Sequence, residues 1–339
     1  MENLLIYLPF LIPVIVANLS ERHRHTPYRV RDPQLNELLD RGLRYLPYGL
    51  LIATNVGLLG LAALALLNEF ATAFAPELMD PTALAANWLG VAVACVLTAF
   101  LATLPLIPAL RRWLARWLPL DPGSYVHTTA LAFAVYHTGL SLGLMSLIGD
   151  LENLITPEMV LTIWDVILSG VPWILFGLAG VGLFIRRGGH STLERLGIRR
   201  PTGRHLLVAV VATALLLGFD YVVNLAWETA DPAGYNLLER VSENIFGGLV
   251  TVGGALALGL SAGISEELLF RGAVQPRLGL VVAAFLFAVA HLQYGLSLAT
   301  VEILVIGLVL GLVRQRTSTT VCMIIHASYN AVGTLLEML

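Results

Sequence analysis

The sequence predicts an all-α fold, a polytopic transmembrane helical bundle of about ten spans. Of 339 residues, 57% are hydrophobic and only 13% are charged, whereas soluble domains carry about 25% charged residues. The apolar residues also occur in runs that approach the length of about 20 residues needed to cross a bilayer. A third indication is that the charge of successive loops alternates in sign. Together these observations exclude a soluble globular domain.

The apolar runs define the predicted spans in order. They are 3–19, 48–68, 86–109, 125–148, 158–185, 205–227, 246–272, 277–293, 298–313 and 319–338. The first run has no basic residue before it and a basic cluster after it, which is the reverse of a cleavable signal peptide, so we predict that it spans the membrane. Cys95 and Cys322 lie inside apolar runs, where a disulfide framework is not expected.

Arginines mark every second loop. They are Arg22, Arg24, Arg29, Arg31, Arg41 and Arg44; Arg111, Arg112 and Arg116; Arg186, Arg187, Arg195, Arg199, Arg200 and Arg204; Arg271 and Arg277; and Arg314 and Arg316. The intervening loops carry Glu69, Glu77 and Asp80; Asp150, Glu152 and Glu158; and Glu228, Asp231, Glu239 and Glu243, with Arg240 as the exception. Because basic loops stay in the cytoplasm, both termini are predicted outside.

The polar stretch 186–204 divides the chain. Residues 1–185 form a predicted N-terminal transmembrane region of unknown role, 186–204 a cytoplasmic basic linker, and 205–339 a second transmembrane domain, which carries all the candidate catalytic residues. We predict an integral membrane protein of the plasma membrane of a prokaryote, with the lipid bilayer as its surroundings. The arginine loops are explained by topology, so nucleic acid is not an expected partner.

Charged residues within the C-terminal apolar runs are candidates for chemistry, because an intramembrane charge is costly and needs a partner or a function. Glu266, Glu267 and Arg271 lie within six residues, and His291 and His326 follow in two later runs. Glu267 and Arg271 share a helix face at i,i+4 spacing and suit an ion pair. Four other intramembrane polar residues are predicted to be packing partners or cavity lining: His137, Asp165, Asp220 and Glu302.

Helix rise predicts that these groups converge. With about 1.5 Å per residue and a turn near Gln275-Pro276, Glu266 lies about 15 Å and His291 about 22 Å from the cytoplasmic side. His326 lies about 12 Å in from its own cytoplasmic loop. Three helices thus bring acid and imidazole groups to a similar depth, which predicts one site.

The chemistry that such a set allows is hydrolysis. A desolvated carboxylate such as Glu266 can act as a general base on water, and a neighbouring histidine can orient that water. His326 and Asn330, which share a helix face, can donate hydrogen bonds to a developing oxyanion. A zinc site formed by Glu266, His291 and His326 is the alternative, since two histidines and one glutamate are a known catalytic set.

Three motifs in this order resemble the CPBP intramembrane proteases, the CAAX-protease and bacteriocin-processing (Abi) enzymes. They are Glu-Glu-x-x-x-Arg at 266–271, Phe-x-x-x-His at 287–291 and His-x-x-x-Asn at 326–330. The stretch Leu193–Pro201 also resembles what precedes that core, so the resemblance covers about 190–339. It implies that Glu266 activates water with His291, and that His326 and Asn330 form the oxyanion hole. A glutamate-type mechanism without a cofactor is the expectation.

The expected function is an intramembrane endopeptidase that cuts a peptide bond near the cytoplasmic membrane face. Its expected substrate is a peptide or protein, which can be membrane-anchored or lipidated, and CAAX-type processing is one form of this activity. The alternative is a non-proteolytic membrane transporter, or an immunity-type peptide-binding protein, that uses the same buried charges. A transporter would be expected to show inverted repeats with broken helices, and the two halves show no matching pair.

Overall fold

The computed structural model describes residues 2–79, 84–156 and 159–338, with side chains from Phe10 onward. Within these residues the chain is 83% helical and has no strand, which confirms the all-α prediction. Asp80 and Glu158, two of the predicted acidic loop residues, lie outside the described part.

Contacts divide the chain into two compact units. One comprises Leu8–Gly149 and Ala179–Gly189; the other comprises Asp150–Leu178 and His190–Leu339, with Met1–Tyr7. The division predicted at 186–204 differs from this grouping, because Asp150–Leu178 pack with the C-terminal unit.

Five helices belong wholly or mainly to the N-terminal unit. They are α1 (Glu2–His25), α2 (Pro33–Phe74), α3 (Trp88–Leu101), α4 (Pro108–Leu114) and α5 (Tyr125–Ile148). The 42-residue α2 extends about 63 Å at 1.5 Å per residue, about twice the hydrocarbon thickness. In the core, the Tyr136 hydroxyl donates to Asn55 Oδ1 at 2.7 Å. No candidate for chemistry from the sequence is placed in this unit except His137.

The C-terminal unit contains the remaining helices. They are α6 (Ile163–Val181, whose last turn belongs to the other unit), α7 (Gly189–Leu196), α8 (Gly203–Ala230), α9 (Pro232–Phe246), α10 (Val252–Glu267), a π-helix (Leu268–Val274), α11 (Gln275–Val289), α12 (Leu298–Arg316) and α13 (Thr319–Leu336). Leu310, Val321 and Ile325, all fully buried, form the core between α12 and α13, and Leu216 of α8 packs on it.

The chain reverses direction at Gly279, inside α11. Gly279 has φ 83° and ψ 171°, a conformation that glycine adopts without steric cost. The turn predicted near Gln275-Pro276 was therefore wrong by three residues, and Pro276 lies in helical backbone before the reversal. Glu266 and His291 lie 13 and 12 residues on either side of Gly279, so the two arms of this hairpin return to equal depth.

Helix length and hydropathy support the predicted polytopic bundle. Eight described helices are long and apolar enough to cross a membrane. Predicted spans seven and eight count as one run, Val252–Val289, and α1 is not among the eight. The protein is therefore a polytopic helical membrane protein, and the orientation of its termini stays a prediction.

Glycines let α10 approach α13 closely. A Cβ at Gly259 would lie 2.4 Å from the Ala327 carbonyl oxygen. A Cβ at Gly263 would lie 2.7 Å from the Ala327 nitrogen and 2.9 Å from the Met323 carbonyl oxygen. Small residues thus permit the two backbones to touch, as at other membrane helix interfaces. Because α10 carries Glu266 and α13 carries His326, this contact also sets the geometry of the candidate site.

Gly263→Ala is expected to lower the free energy of unfolding by about 1–3 kcal/mol, because overpacking forces the two backbones apart. Gly253→Ala, on the same helix, is the matched control, since its Cβ would lie 3.8 Å from the nearest atom. Thermal unfolding in detergent measures both changes. Equal stability of the two variants would contradict this account of the α10–α13 contact.

Candidate active site

The structure brings four of the predicted side chains together in two contacting pairs. Glu266 Oε2 lies 3.8 Å from His291 Nε2, and Glu267 Oε1 lies 3.0 Å from His326 Nδ1. The adjacent acids therefore face different histidines. The predicted convergence of three helices is present, although the pairing of Glu267 with His326 was not foreseen.

Glu267 is the buried centre of an ionic network. Its side chain is fully buried, and its two oxygens contact different cationic or donor groups: Arg271 Nε at 3.2 Å and His326 Nδ1 at 3.0 Å. Arg271 is 1% exposed, and its Nη2 donates to the Gly307 carbonyl at 3.3 Å. The predicted ion pair is therefore present. Arg271, which we counted among the cytoplasmic loop charges, was misassigned there, because it is buried inside the protein.

Glu266 differs from Glu267 in its surroundings. The Glu266 side chain is 16% exposed, against 0% for Glu267. Its Oε2 atom is buried and has no hydrogen-bond partner among the described residues. A buried carboxylate oxygen without a partner is costly, so this atom is available to a ligand. Glu266 is therefore the more accessible of the two acids.

The hydrogen bonds of His291 fix its tautomer. Its Nδ1 lies 2.9 Å from the Phe287 carbonyl oxygen, which only accepts hydrogen bonds, so Nδ1 carries the proton. In the neutral ring Nε2 is then an acceptor, and it points toward Glu266 Oε2. Two acceptors separated by 3.8 Å form no direct hydrogen bond, but both can accept from one molecule with two donor hydrogens.

Phe287 supports both pairs. It is 2% exposed, and its ring centroid lies 5.0 Å from that of His291 and 5.7 Å from that of His326. The Arg271 guanidinium lies 4.3 Å from the same centroid, a cation–π contact that helps to compensate the buried charge. Phe270, on the π-helix, completes the packing with centroids 5.5 Å apart. The spacing of Phe287 and His291 was visible in the sequence, but the contact with Arg271 was not.

A π-helix follows the two acids. It begins directly after Glu267, and such segments occur frequently at functional sites. The segment around α7 anchors its far end: Arg195 Nη1 donates to the Gly272 carbonyl at 3.0 Å. The next residue, Leu196, accepts a 2.6 Å hydrogen bond from Thr319 Oγ1. The family-like stretch before α8 thus connects the π-helix to the start of α13.

Asn330 is the one predicted site residue that does not join these contacts. It lies one turn after His326 on α13 and is partly exposed. No hydrogen bond of its side chain occurs within the described residues.

A residue that sequence reasoning missed is Gln275, whose Nε2 donates to the Gly311 carbonyl at 2.8 Å. This bond runs parallel to that of Arg271 with Gly307, so two side chains hold α12 against the site.

The other intramembrane polar residues of this unit form separate contacts. Tyr329 donates to Asp220 Oδ1 at 3.0 Å, a contact between α13 and α8 that agrees with the packing role predicted for Asp220. Glu302 is 7% exposed, and its Oε1 has no hydrogen-bond partner among the described residues. Asp165 is exposed and accepts from the Thr162 hydroxyl at 2.6 Å, a local bond at the start of α6 and not a contact between helices.

Within the described residues no group of three or more His, Cys, Asp or Glu side chains is placed to hold a metal ion. In the alternative zinc set of Glu266, His291 and His326, the His326 Nδ1 is engaged by Glu267, so only its Nε2 could face a metal. Metal-binding histidines commonly have such a carboxylate contact at the other ring nitrogen, so the zinc set stays an alternative prediction.

One family of known proteins is similar to part of the chain. Residues 248–332 match the family described as type II CAAX prenyl endopeptidase Rce1-like. This range includes all six predicted site residues, from Glu266 to Asn330. No curated protein and no solved structure matches the chain. The resemblance to the CPBP proteases is thereby confirmed over this range, and the match supports a membrane peptidase.

Proposed function

We propose that this protein is an intramembrane endopeptidase that hydrolyses peptide bonds with a glutamate-activated water. The match of residues 248–332 to a CAAX endopeptidase family supports this. The observation that carries the proposal is the pair Glu266–His291, two acceptors 3.8 Å apart, one of which is a buried oxygen without a partner. One water can donate a hydrogen bond to each. Its oxygen lone pairs are then directed away from both acceptors, toward a bound carbonyl.

Catalysis follows from a proton transfer at Glu266. Glu266 takes one proton from the water while the water oxygen bonds to the carbonyl carbon of the scissile peptide bond. The carbonyl oxygen becomes an oxyanion in the tetrahedral intermediate. The carbon–nitrogen bond then breaks, and the protonated Glu266 gives its proton to the leaving nitrogen. His291 holds the water through Nε2, since its Nδ1 proton is engaged by the Phe287 carbonyl.

His326 stabilises the oxyanion in this proposal. Its Nδ1 donates to Glu267, so a neutral ring would have no proton on Nε2. Glu267 stabilises a positive charge on His326, and the charged ring donates from Nε2 as well. Arg271 partly neutralises the carboxylate of Glu267 and holds the Glu267 side chain in place. Glu267 and Arg271 are therefore positioning residues, which act through His326.

The substrate class follows from the position of the site. Glu266 lies on α10 and His291 in the turn that follows α11, and they remain 16% and 20% exposed, so a peptide segment at the membrane can reach them. We propose a peptide or protein substrate, membrane-anchored or lipidated, that is cut near the cytoplasmic face. The proposal needs no cofactor, and it places the protein in the plasma membrane of a prokaryote with both termini outside.

The proposed function is tested by hydrolysis in reconstituted membranes. The purified protein is incubated with membrane-anchored peptides in water enriched in oxygen-18, and the masses of the products are measured by mass spectrometry. The expected result is internal cleavage with one labelled oxygen in the new carboxylate, unchanged by a metal chelator. Activity that a chelator removes and zinc restores would contradict the cofactor-free mechanism. The absence of cleavage across a diverse set of peptides would contradict the endopeptidase assignment.

Asn330→Ala is expected to lower kcat by about 10²–10³-fold, the usual effect of removing one oxyanion donor, with KM little changed. Asn330 follows His326 by one helical turn, so an amide there reaches the same side of the site. Ser328→Ala is the control, because Ser328 lies on a different face of α13 and should leave kcat unaltered. An effect of Asn330→Ala on KM alone would exclude the oxyanion role.

A further inference from the structure

A lipid-facing groove runs between α8 and α12, on the side of α12 away from the active-site hairpin. Its apolar part has a volume of about 580 Å³. The residues that line it include Leu207, Val211, Leu215, Val305 and Val309. None of the lining side chains carries a charge, so this part of the groove suits a hydrocarbon chain.

The same groove continues into a basic pocket at one end. A second cavity of about 540 Å³ shares Val208, Val309 and Val313 with the apolar part. Its lining adds Arg204 and His205 from the start of α8, and Arg316 and Thr317 from the end of α12. Two helices, α8 and α12, thus contribute basic residues to one end of the apolar groove.

The basic groups at this mouth are free to bind an anion. Arg204 and Arg316 are exposed, and neither forms an ion pair within the described residues. His205 Nδ1 accepts a hydrogen bond from the Thr202 amide, so in the neutral ring Nε2 carries the proton and can donate. The amino end of the 28-residue α8 adds a partial positive charge at the same place. The basic end of the groove suits an anionic head group and the apolar part suits a hydrocarbon chain, so the groove as a whole matches an anionic amphiphile.

We propose that this groove binds an anionic phospholipid, with the phosphate held by Arg204, His205 and Arg316 and an acyl chain lying against Val309. A zwitterionic lipid places an additional ammonium group among the arginines and should bind less well. A peptide would leave backbone donors and acceptors unsatisfied against the apolar wall, which favours a lipid. This inference rests on the insertion of the helices in a membrane and does not depend on the proposed peptidase activity.

The position of the groove gives the lipid a structural role. The opposite side of α12 presents the Gly307 and Gly311 carbonyls that accept hydrogen bonds from Arg271 and Gln275. A lipid that joins α8 to α12 therefore supports the helix that holds these side chains.

Native mass spectrometry of the detergent-solubilised full chain tests the proposal, with phosphatidylglycerol and phosphatidylcholine as the two probes. The wild-type protein is expected to bind phosphatidylglycerol more tightly. In the double variant Arg204→Gln/Arg316→Gln that preference is expected to fall by about 30-fold, since each basic residue contributes about 1 kcal/mol near an anionic lipid surface. The matched control is Arg112→Gln/Arg116→Gln, which removes two exposed arginines outside the groove and should leave the preference intact.

Val309→Phe tests the apolar half separately, because a larger ring fills the groove where both cavities meet. It is expected to weaken the binding of both lipids while the preference for phosphatidylglycerol remains. Equal binding of the two lipids by the wild type, or equal losses in the groove and control double variants, would overturn the proposal. Unchanged lipid binding by a folded Val309→Phe protein would exclude the acyl-chain position.

Discussion

Glu266→Gln is expected to abolish measurable peptide hydrolysis, a loss of about 10⁴-fold in kcat, at the upper end of what a general base contributes. The substitution keeps the shape of the side chain and removes only its capacity to take a proton. Because Glu266 is partly exposed and makes no ion pair as close as that of Glu267, the variant should fold and insert normally. Single-turnover hydrolysis in reconstituted membranes measures the change, with unfolding in detergent as the check on folding.

Glu302→Gln is the matched control for that experiment. Glu302 is also a buried intramembrane carboxyl, but it lies outside the Glu266–His291 pair, so its exchange should leave kcat within a few-fold of wild type. Near-normal hydrolysis by Glu266→Gln would refute the general-base role. The alternative function, a transporter or peptide-binding protein, predicts instead that Glu266→Gln retains partial transport or binding and that no uncut substrate accumulates.

The residues of the candidate site could be predicted from the sequence because charged side chains inside a bilayer are energetically costly and therefore rare. Glu266, Glu267, His291 and His326 are rare polar groups in apolar runs, and helix rise placed them at similar depth. Periodicity also predicted the Glu267–Arg271 pair. The structure contains these contacts, and the family match covers the same residues.

The sequence could not predict which histidine faces which acid. Helical spacing fixes side chains relative to others on the same helix, but the Glu267–His326 contact joins α10 to α13 and depends on how far Gly259 and Gly263 let these helices approach. It also depends on the π-helix after Glu267, which has no reliable signature in one sequence.

The position of the hairpin was predicted imperfectly for a physical reason. The prediction rests on proline as the turn signal, but Pro276 lies in helical backbone three residues before the reversal. The reversal requires a positive φ, and Gly279 supplies it. Arg271 was misassigned to a loop for the same reason, since the helix was expected to end near it.

Arg271→Leu is expected to lower the free energy of unfolding by about 3–5 kcal/mol, the typical effect of breaking a buried ion pair from one side. Glu267 is fully buried and would retain only His326 as a partner. The double variant Glu267→Gln/Arg271→Leu is expected to recover part of that stability, because no unpaired charge remains. It should nevertheless stay inactive, since His326 no longer faces a carboxylate that stabilises its charged form.

This separation of stability from activity distinguishes a positioning role from a purely structural one. Chemical unfolding in detergent measures the stability of both variants, and kcat with KM measures their catalysis. Arg277→Leu is the control, because Arg277 lies near the turn of the same hairpin, is partly exposed and is outside the Glu267 network. If the double variant regained activity along with stability, Glu267 would have no role in orienting or charging His326. If Arg271→Leu and Arg277→Leu had the same free energy of unfolding, neither the buried ion pair nor the cation–π contact with Phe287 would stabilise the fold.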